Sequence, residues 1–478
     1  MGINMGLIFA WPAFTITMFQ TTNTTLNRPM TDTEVSLFGS LSSIGALLST
    51  PTAGYMLEKL GRKYCSLVWV LLVCTRNVET VLAAIFLSGV SSSVFLVATV
   101  YISEICQDSI RGAMTASNMV SYGIGMLLSY LLGGFLSYKV MLYVGLSMAT
   151  AGACLLFIMK ESPMHLLSKG KEKEAAQSLS FYRMWKLDSK ELLEEMNIMK
   201  RALNPDLGGE SDGCETLRTR HCSDTWERPL CNSEFLLVMV MMMFNSNVAR
   251  KRLDIWNNNM FLSTGKSKSS QRAFLVNMVV MTAAIFQGLV VVQIYAEPIF
   301  TEAVPTASAT LLSVMLAVTT VVAGIIAAYC TDLLGRRPLM VYASLGAGIS
   351  SMVLGTLMHF HWGPNWLTAT FIYVFAVMYT CGAGTVPFVL LAELFLPEVK
   401  SFFSMVLVEY VWLCNFVILF IFNPLLKALG WGPVFYVFAV ICFLSSTFCF
   451  FFLPETKGLT VEEIQSRFVK PKRKAPLY

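Results

Sequence analysis

Apolar residues run through this chain in long unbroken blocks. They occupy 2–19, 35–57, 64–78, 79–105, 114–136, 139–159, 274–296, 307–330, 339–358, 367–392, 403–426 and 432–453, with one long polar stretch at 160–273. A hydrocarbon core about 30 Å thick takes about 20 apolar residues of helix to cross. Inside it every backbone N–H and C=O must be satisfied within the segment, which selects helix. The pattern predicts an all-α polytopic membrane protein with twelve transmembrane helices, six on each side of the polar stretch. Of the 478 residues 55% are hydrophobic and only 14% charged, against about 25% charged in a soluble chain. Mean hydropathy is +0.61.

The expected units are residues 1–159 and 274–453 as two six-helix halves, 160–273 as a loop and 454–478 as a tail. One block is short. Twelve residues separate Lys63 from Arg76, enough helix for about 18 Å, so the third span is unusually short. Within the loop, Leu166, Leu167, Ala175, Leu179, Tyr182, Leu192, Leu193 and Met196 fall at helical spacing, which predicts two or three amphipathic helices over 163–201. The run at 235–244 is too short to span, and 205–272 reads as a disordered insertion.

Basic residues orient the chain. With both termini and the loop in the cytoplasm, only Arg28, Arg76, Lys139 and Lys427 of the 35 bases fall outside. Leaving out the 18 bases of the long loop, 13 against 4 remain, the positive-inside asymmetry. The tail bases Lys470, Lys472, Arg473 and Lys474 suit an anionic inner leaflet. Asn23, in the first outside loop, heads the one N-x-[ST] sequon and is a glycosylation candidate. The net charge of +5 shows no basic patch interleaved with aromatics, so no nucleic-acid partner is expected. Twelve cysteines are scattered. Cys214, Cys222 and Cys231 lack zinc-site spacing, so no metal, cofactor or catalytic set is expected.

A charged box occurs twice. Gly54…Glu58-Lys59-Leu-Gly61-Arg62-Lys63 is answered by Asp332-Leu-Leu-Gly335-Arg336-Arg337-Pro338. Each is followed by an acid with a base seven residues on, Glu104 with Arg111 and Glu393 with Lys400. The doubling points to two related halves. Tyr101-Ile-Ser-Glu104, Glu161-Ser162-Pro163, Ala392-Glu393-Leu394-Phe395 and Pro454-Glu455-Thr456-Lys457-Gly458 complete an ordered set. With Trp11-Pro12 in span one, it resembles the sugar porters of the major facilitator superfamily, and is similar to the facilitated trehalose transporters of insects. The resemblance covers about 2–200 and 274–465. It implies the major facilitator fold, a small sugar as solute, a lipid bilayer as surroundings and the plasma membrane as location. It also implies a gating role for Arg62, Lys63, Glu104, Arg111, Glu161, Asp332, Arg336, Arg337, Glu393, Lys400 and Glu455. These charges are expected to pair across the halves in one state and to part in the other.

The solute site departs from the family. Ala284-Ile285 stand where a Gln pair belongs, Gln287 replaces a Ser, and Val290 takes an Asn position. Ile85 sits at a customary Arg, and Phe388 replaces a Trp. What remains for binding is Gln287, Gln293, Tyr295, Thr380, Phe388, Trp412 and Asn415. Glu409 is an acid inside span eleven, about 10 Å from its cytoplasmic end, and such acids are functional candidates. Pairing with Tyr410 or a neighbouring helix is the favoured reading, with proton coupling the rival. The leading expectation is a uniporter of trehalose or a hexose. A carrier of a less polar solute and a non-transporting, receptor-like or decayed paralogue are the alternatives.

Overall fold

The computed structural model describes residues 2–21, 26–60, 77–92, 108–158, 160–168, 170–187, 189–203, 268–395, 397–459 and 461–468. The short third span as far as Arg76, the insertion as far as 267, Asn23, Arg62, Lys63, Glu104 and the tail bases lie outside the described residues, while 268–272, expected within the disordered insertion, are instead the first turns of a helix, Lys268–Phe286. Arg111, Asp332 and Lys400 lie on described helices, but their side chains are outside the description.

The described residues are nearly all helical. The first part comprises α1 (Gly2–Ala10), α2 (Pro12–Gln20), α3 (Asp32–Leu60), α4 (Val78–Ser92), α5 (Asp108–Phe135) and α6 (Tyr138–Ile158). Trp11-Pro12 splits the first span, because proline lacks the N–H that would continue the helix and suits a new first turn. After it come α7 (Pro163–Ser168), α8 (Glu172–Arg183) and α9 (Lys190–Leu203). Leu166, Leu167, Ala175, Leu179, Leu192 and Met196 close into a small buried cluster of their own. Leu193 corrects the expectation: it is exposed, because Leu192 and Met196, four apart, set the inward face, and Leu193 is a further 100° round.

The second part comprises α10 (Lys268–Phe286), α11 (Leu289–Ile294), α12 (Ala296–Ala303), α13 (Ala309–Leu334), α14 (Arg336–Phe360), α15 (Asn365–Cys381), α16 (Val386–Glu393), α17 (Pro397–Leu429), α18 (Trp431–Phe452) and α19 (Val461–Arg467). Six stretches here, within 269–452, are long and apolar enough to cross a membrane. The seventh span breaks at Gly288, with φ +96°, and the tenth between Cys381 and Val386. The chain is a multi-pass membrane protein.

Helices meet closely where glycine allows it. A Cβ on Gly45 would lie 2.0 Å from the Phe86 carbonyl oxygen, and one on Gly89 would lie 1.9 Å from that of Ser42. In lipid, where burial alone does not drive association, such small-residue contacts bring backbones together. Across the two parts, α3 packs along α17 and α5 along α13. These contacts form the seam on which the candidate site lies.

Candidate functional site

The second charged box is built around Gly335, whose φ of +90° turns the chain from α13 into α14. A Cβ there would meet the Glu455 carboxylate at 2.9 Å. Glu455 accepts hydrogen bonds from the backbone N–H of Arg336 at 3.0 Å and Arg337 at 3.1 Å. It accepts two more from Thr456 at 3.0 Å and Lys457 at 2.9 Å. An anion at the N-terminus of α14 faces the free N–H groups of its first turn. Burial alone would raise the Glu455 carboxyl, but these four N–H groups outweigh it and hold the group below its ordinary value.

Arg336 reaches sideways to Glu393 at the end of α16, Nη2 to Oε1 at 2.7 Å. The other Glu393 oxygen accepts from the Thr456 hydroxyl at 2.7 Å. Arg337 donates to the Phe450 carbonyl at 2.6 Å and stands over that residue's ring. Lys457 Nζ donates to the Leu333 carbonyl at 2.8 Å. The partners described for Arg336, Glu393 and Glu455 belong to the second part of the chain. Adjacent-helix contacts hold them there: the box turn, the end of span ten and the segment after span twelve converge at one end of the bundle. Glu161 is half-buried, and its carbonyl accepts from the Ser178 hydroxyl of α8.

At the opposite end, contacts do cross the seam. The Thr17 hydroxyl donates to Glu297 at 2.7 Å, and Lys427 pairs with Asp32. Asn423 Nδ2 lies 3.5 Å from the Asp32 carbonyl oxygen, and the Tyr130 hydroxyl donates to the Gln293 carbonyl at 2.6 Å. Nearby, Arg28 pairs with Glu34 at 2.6 Å and Glu79 at 3.1 Å, tying the first loop to α3 and α4. Hydrogen bonding from Arg28 holds Glu34 down to about 2.

Between these ends, α17 carries Glu409, Trp412 and Asn415 at spacing three, all buried. Glu409 has neither carboxylate oxygen hydrogen-bonded, and Trp412 Nε1 and Asn415 Oδ1 are also without partners. The Trp412 ring packs on Phe9 of α1 at 5.8 Å, across the seam. Asn415 Nδ2 donates to the Val411 carbonyl of its own helix at 3.1 Å. Tyr410 does not pair with Glu409. Its hydroxyl lies 2.9 Å from Thr282, because the residue after Glu409 is turned 100° toward α10. Asn277 on α10 is buried with both amide atoms unpartnered, and sequence reasoning passed it over as one polar residue in an apolar run.

The other candidates scatter. Tyr295 is buried against Phe422 at 4.7 Å, with its hydroxyl unpartnered and close to Gly39 of α3. Gln287 is fully buried and turned toward Ser344 of α14, Nε2 to Oγ at 3.4 Å, leaving its Oε1 unpartnered. Gln293 is half-buried. The Thr380 hydroxyl donates to its own helix, to the Ala376 carbonyl at 2.7 Å. Phe388 is 38% exposed. Ala284, Ile285 and Ile85 are core residues. The structure therefore brings Trp412 and Tyr295 to the seam, but packs Gln287 and Thr380 against helices of the second part.

A family described as "Sugar (and other) transporter" matches residues 3–285 and 237–468. The facilitated trehalose transporter of Anopheles gambiae is 24% identical over 455 residues, covering 92% of this chain. That of Polypedilum vanderplanki is 24% identical over 464 residues, covering 94% of this chain and 82% of its own. This chain spans about half the length of two of the mosquito relatives, 51% for Anopheles gambiae and 50% for Aedes aegypti. Among solved structures, the inward-open xylose transporter XylE of E. coli superposes with a TM-score of 0.71 at 17% identity, covering 98% of each chain. XylE bound to 6-bromo-6-deoxy-D-glucose gives 0.67 at 18%. These neighbours share the major facilitator fold. With its ordered boxes and six long apolar helices in the second part, the chain belongs to the sugar (and other) transporter family.

Proposed function

We propose that this protein is a facilitative carrier (a uniporter) of a small carbohydrate, trehalose or a hexose. It acts in the plasma membrane with both termini cytoplasmic, by alternating access of residues 1–159 against 274–453. The loop 160–273 and the tail 454–478 stay on the cytoplasmic side. The observation that carries this reading is the stripe on α17. Trp412 offers an N–H donor and Asn415 a carbonyl acceptor, both buried without partners. A buried polar group left unpaired costs about 1–3 kcal/mol. A polyhydroxyl solute supplies donors and acceptors together and relieves that cost, while the Trp412 ring offers an apolar face to its C–H side. Names of relatives and neighbours that transport trehalose or xylose support the same solute class.

Counterflow of labelled trehalose and glucose in proteoliposomes tests the reading. Saturable counterflow of one of them is expected, with Trp412→Phe raising KM about three- to tenfold through loss of one hydrogen bond. No counterflow of either sugar would sink it. A second reading, a carrier of a less polar solute, is favoured by Ala284 and Ile285. Both are buried in the apolar core where similar sugar porters carry amides. Competition of sugar counterflow by an apolar glycoside but not by free hexose would select it.

A further inference from the structure

Glu297 lies on α12, just past the apolar stretch Ser269–Ile294, at the end of the bundle opposite the second charged box. Its Oε2 is 2.7 Å from the Thr17 hydroxyl on α2, so the contact joins the two parts of the chain. Thr17 has one hydroxyl hydrogen and two acceptors in reach, Glu297 and the Phe14 carbonyl at 3.3 Å. An ionised carboxylate only accepts, so one of these contacts would lack its hydrogen. A protonated carboxyl donates to Thr17 and leaves the hydroxyl hydrogen for Phe14. Only the protonated acid fills both.

No cation compensates an ionised Glu297 from the helices packed on α12. The α2 sequence has no ionisable side chain, and neither does α11, whose polar residue is Gln293. The first three turns of α13 carry none. On α15 the nearest titratable group is Tyr373, whose hydroxyl donates to the Leu312 carbonyl at 3.1 Å. On either side of Glu297 in the chain stand Tyr295, buried, and Glu302, exposed. Burial raises the Glu297 carboxyl above its ordinary range by more than the Thr17 hydrogen bond lowers it.

We propose that Glu297 is a proton-binding site that latches this end of the bundle, taking up a proton as the two parts close on Thr17 and releasing it when they part. Because the site opens to the same compartment that supplies the proton, no net proton crosses the membrane. The proton regulates access without driving the solute. An acid whose protonated form is favoured by closure makes closure stronger as pH falls through its closed-state value. The effect saturates below the ordinary carboxylate range. The Asp32–Lys427 pair works the other way, since protonating Asp32 weakens it, so the two contributions separate by substitution. The assignment of this end to the outer face rests on the orientation proposed above; the latch does not.

Double electron–electron resonance in lipid nanodiscs, with bioorthogonal spin labels at Thr21 and Glu302, tests the latch without any sugar. Both positions are exposed. Between about pH 8 and about pH 5 the wild-type ratio of short to long distances is expected to rise, by at most about tenfold per pH unit. Glu297→Gln, whose amide donates to Thr17 at every pH, should stay closed throughout. Thr17→Val keeps the shape, removes the partner, and should populate the open distance. A wild type with no change over this range would overturn the proposal. So would a Glu297→Gln protein that still follows the wild-type pH response, or a Thr17→Val protein indistinguishable from wild type.

Discussion

At Glu455, four backbone N–H groups converge on one carboxylate, and two of them belong to the first turn of a helix that begins 119 residues earlier in the chain. The carboxyl is held below its ordinary value, so its contribution to stability is fully present above the unfolded-state value. It is lost as pH falls through the lowered folded-state value. The melting temperature of the purified protein should therefore exceed that of Glu455→Gln near neutral pH, and the gap should narrow on acidification below about pH 4.5. A gap that does not change with pH would show that the carboxylate charge is not what caps α14. The Gly335-Arg336-Arg337 and Pro454-Glu455-Thr456 motifs were legible in the sequence. That they join one another was not, because a hydrogen-bond partner is set by which helix ends are neighbours, and motif order along the chain does not contain that.

Among elements, span boundaries followed from apolar length, since a helix in lipid has no other way to satisfy its backbone. The α6 helix lies within a residue of the expected block at 139–159, while α5 begins six residues before that at 114–136. The breaks at Trp11-Pro12 and Gly288 were not among the expectations, although a proline and a glycine at φ +96° stand at them. Less visible was the Gly45–Gly89 crossing of α3 and α4, because nothing local pairs two glycines on different helices. Gly89→Ala should cost about 1–3 kcal/mol by forcing these backbones apart. Thermal unfolding in detergent reads this, and an unchanged melting temperature would mean the crossing relaxes freely. The stripe of Glu409, Trp412 and Asn415 was half legible. Each residue stood out as polar in an apolar block, but whether it had found a partner depended on the rotation of α17 against α1 and α10.

For the whole molecule, the seam is the feature that matters. Gating charges were expected to pair across it in one state and part in the other; among the described residues Arg336 pairs with Glu393 in its own part, and the seam is crossed at the other end by Asp32 with Lys427 and Thr17 with Glu297. These contacts hold the two parts together at the end bearing the first loop. The Asp32–Lys427 pair is half-exposed or more, 65% and 54%, so it contributes at most about 1 kcal/mol. Asp32→Lys should open that end by no more than about fivefold in population, and Asp32→Lys with Lys427→Asp should restore it. Cysteine-reactive reagents applied to the purified protein in detergent, with a label site at Glu302, measure the change. Failure of the charge swap to restore closure would remove this pair from the seam's balance.

What the sequence determined by itself is the class of molecule. Apolar block length, basic asymmetry and the doubled box each follow from local physics, the thickness of a bilayer and the turn chemistry of glycine. What only the tertiary structure decided is how polar side chains are used. Gln287, read as a solute ligand, is turned toward Ser344, and Tyr410 serves Thr282 rather than Glu409. Thr17 meets an acid 280 residues away. In a membrane the apolar faces of helices are nearly interchangeable, so composition settles that a helix crosses but not how it is rotated. Rotation is settled by close packing and by the few polar groups that must find one another.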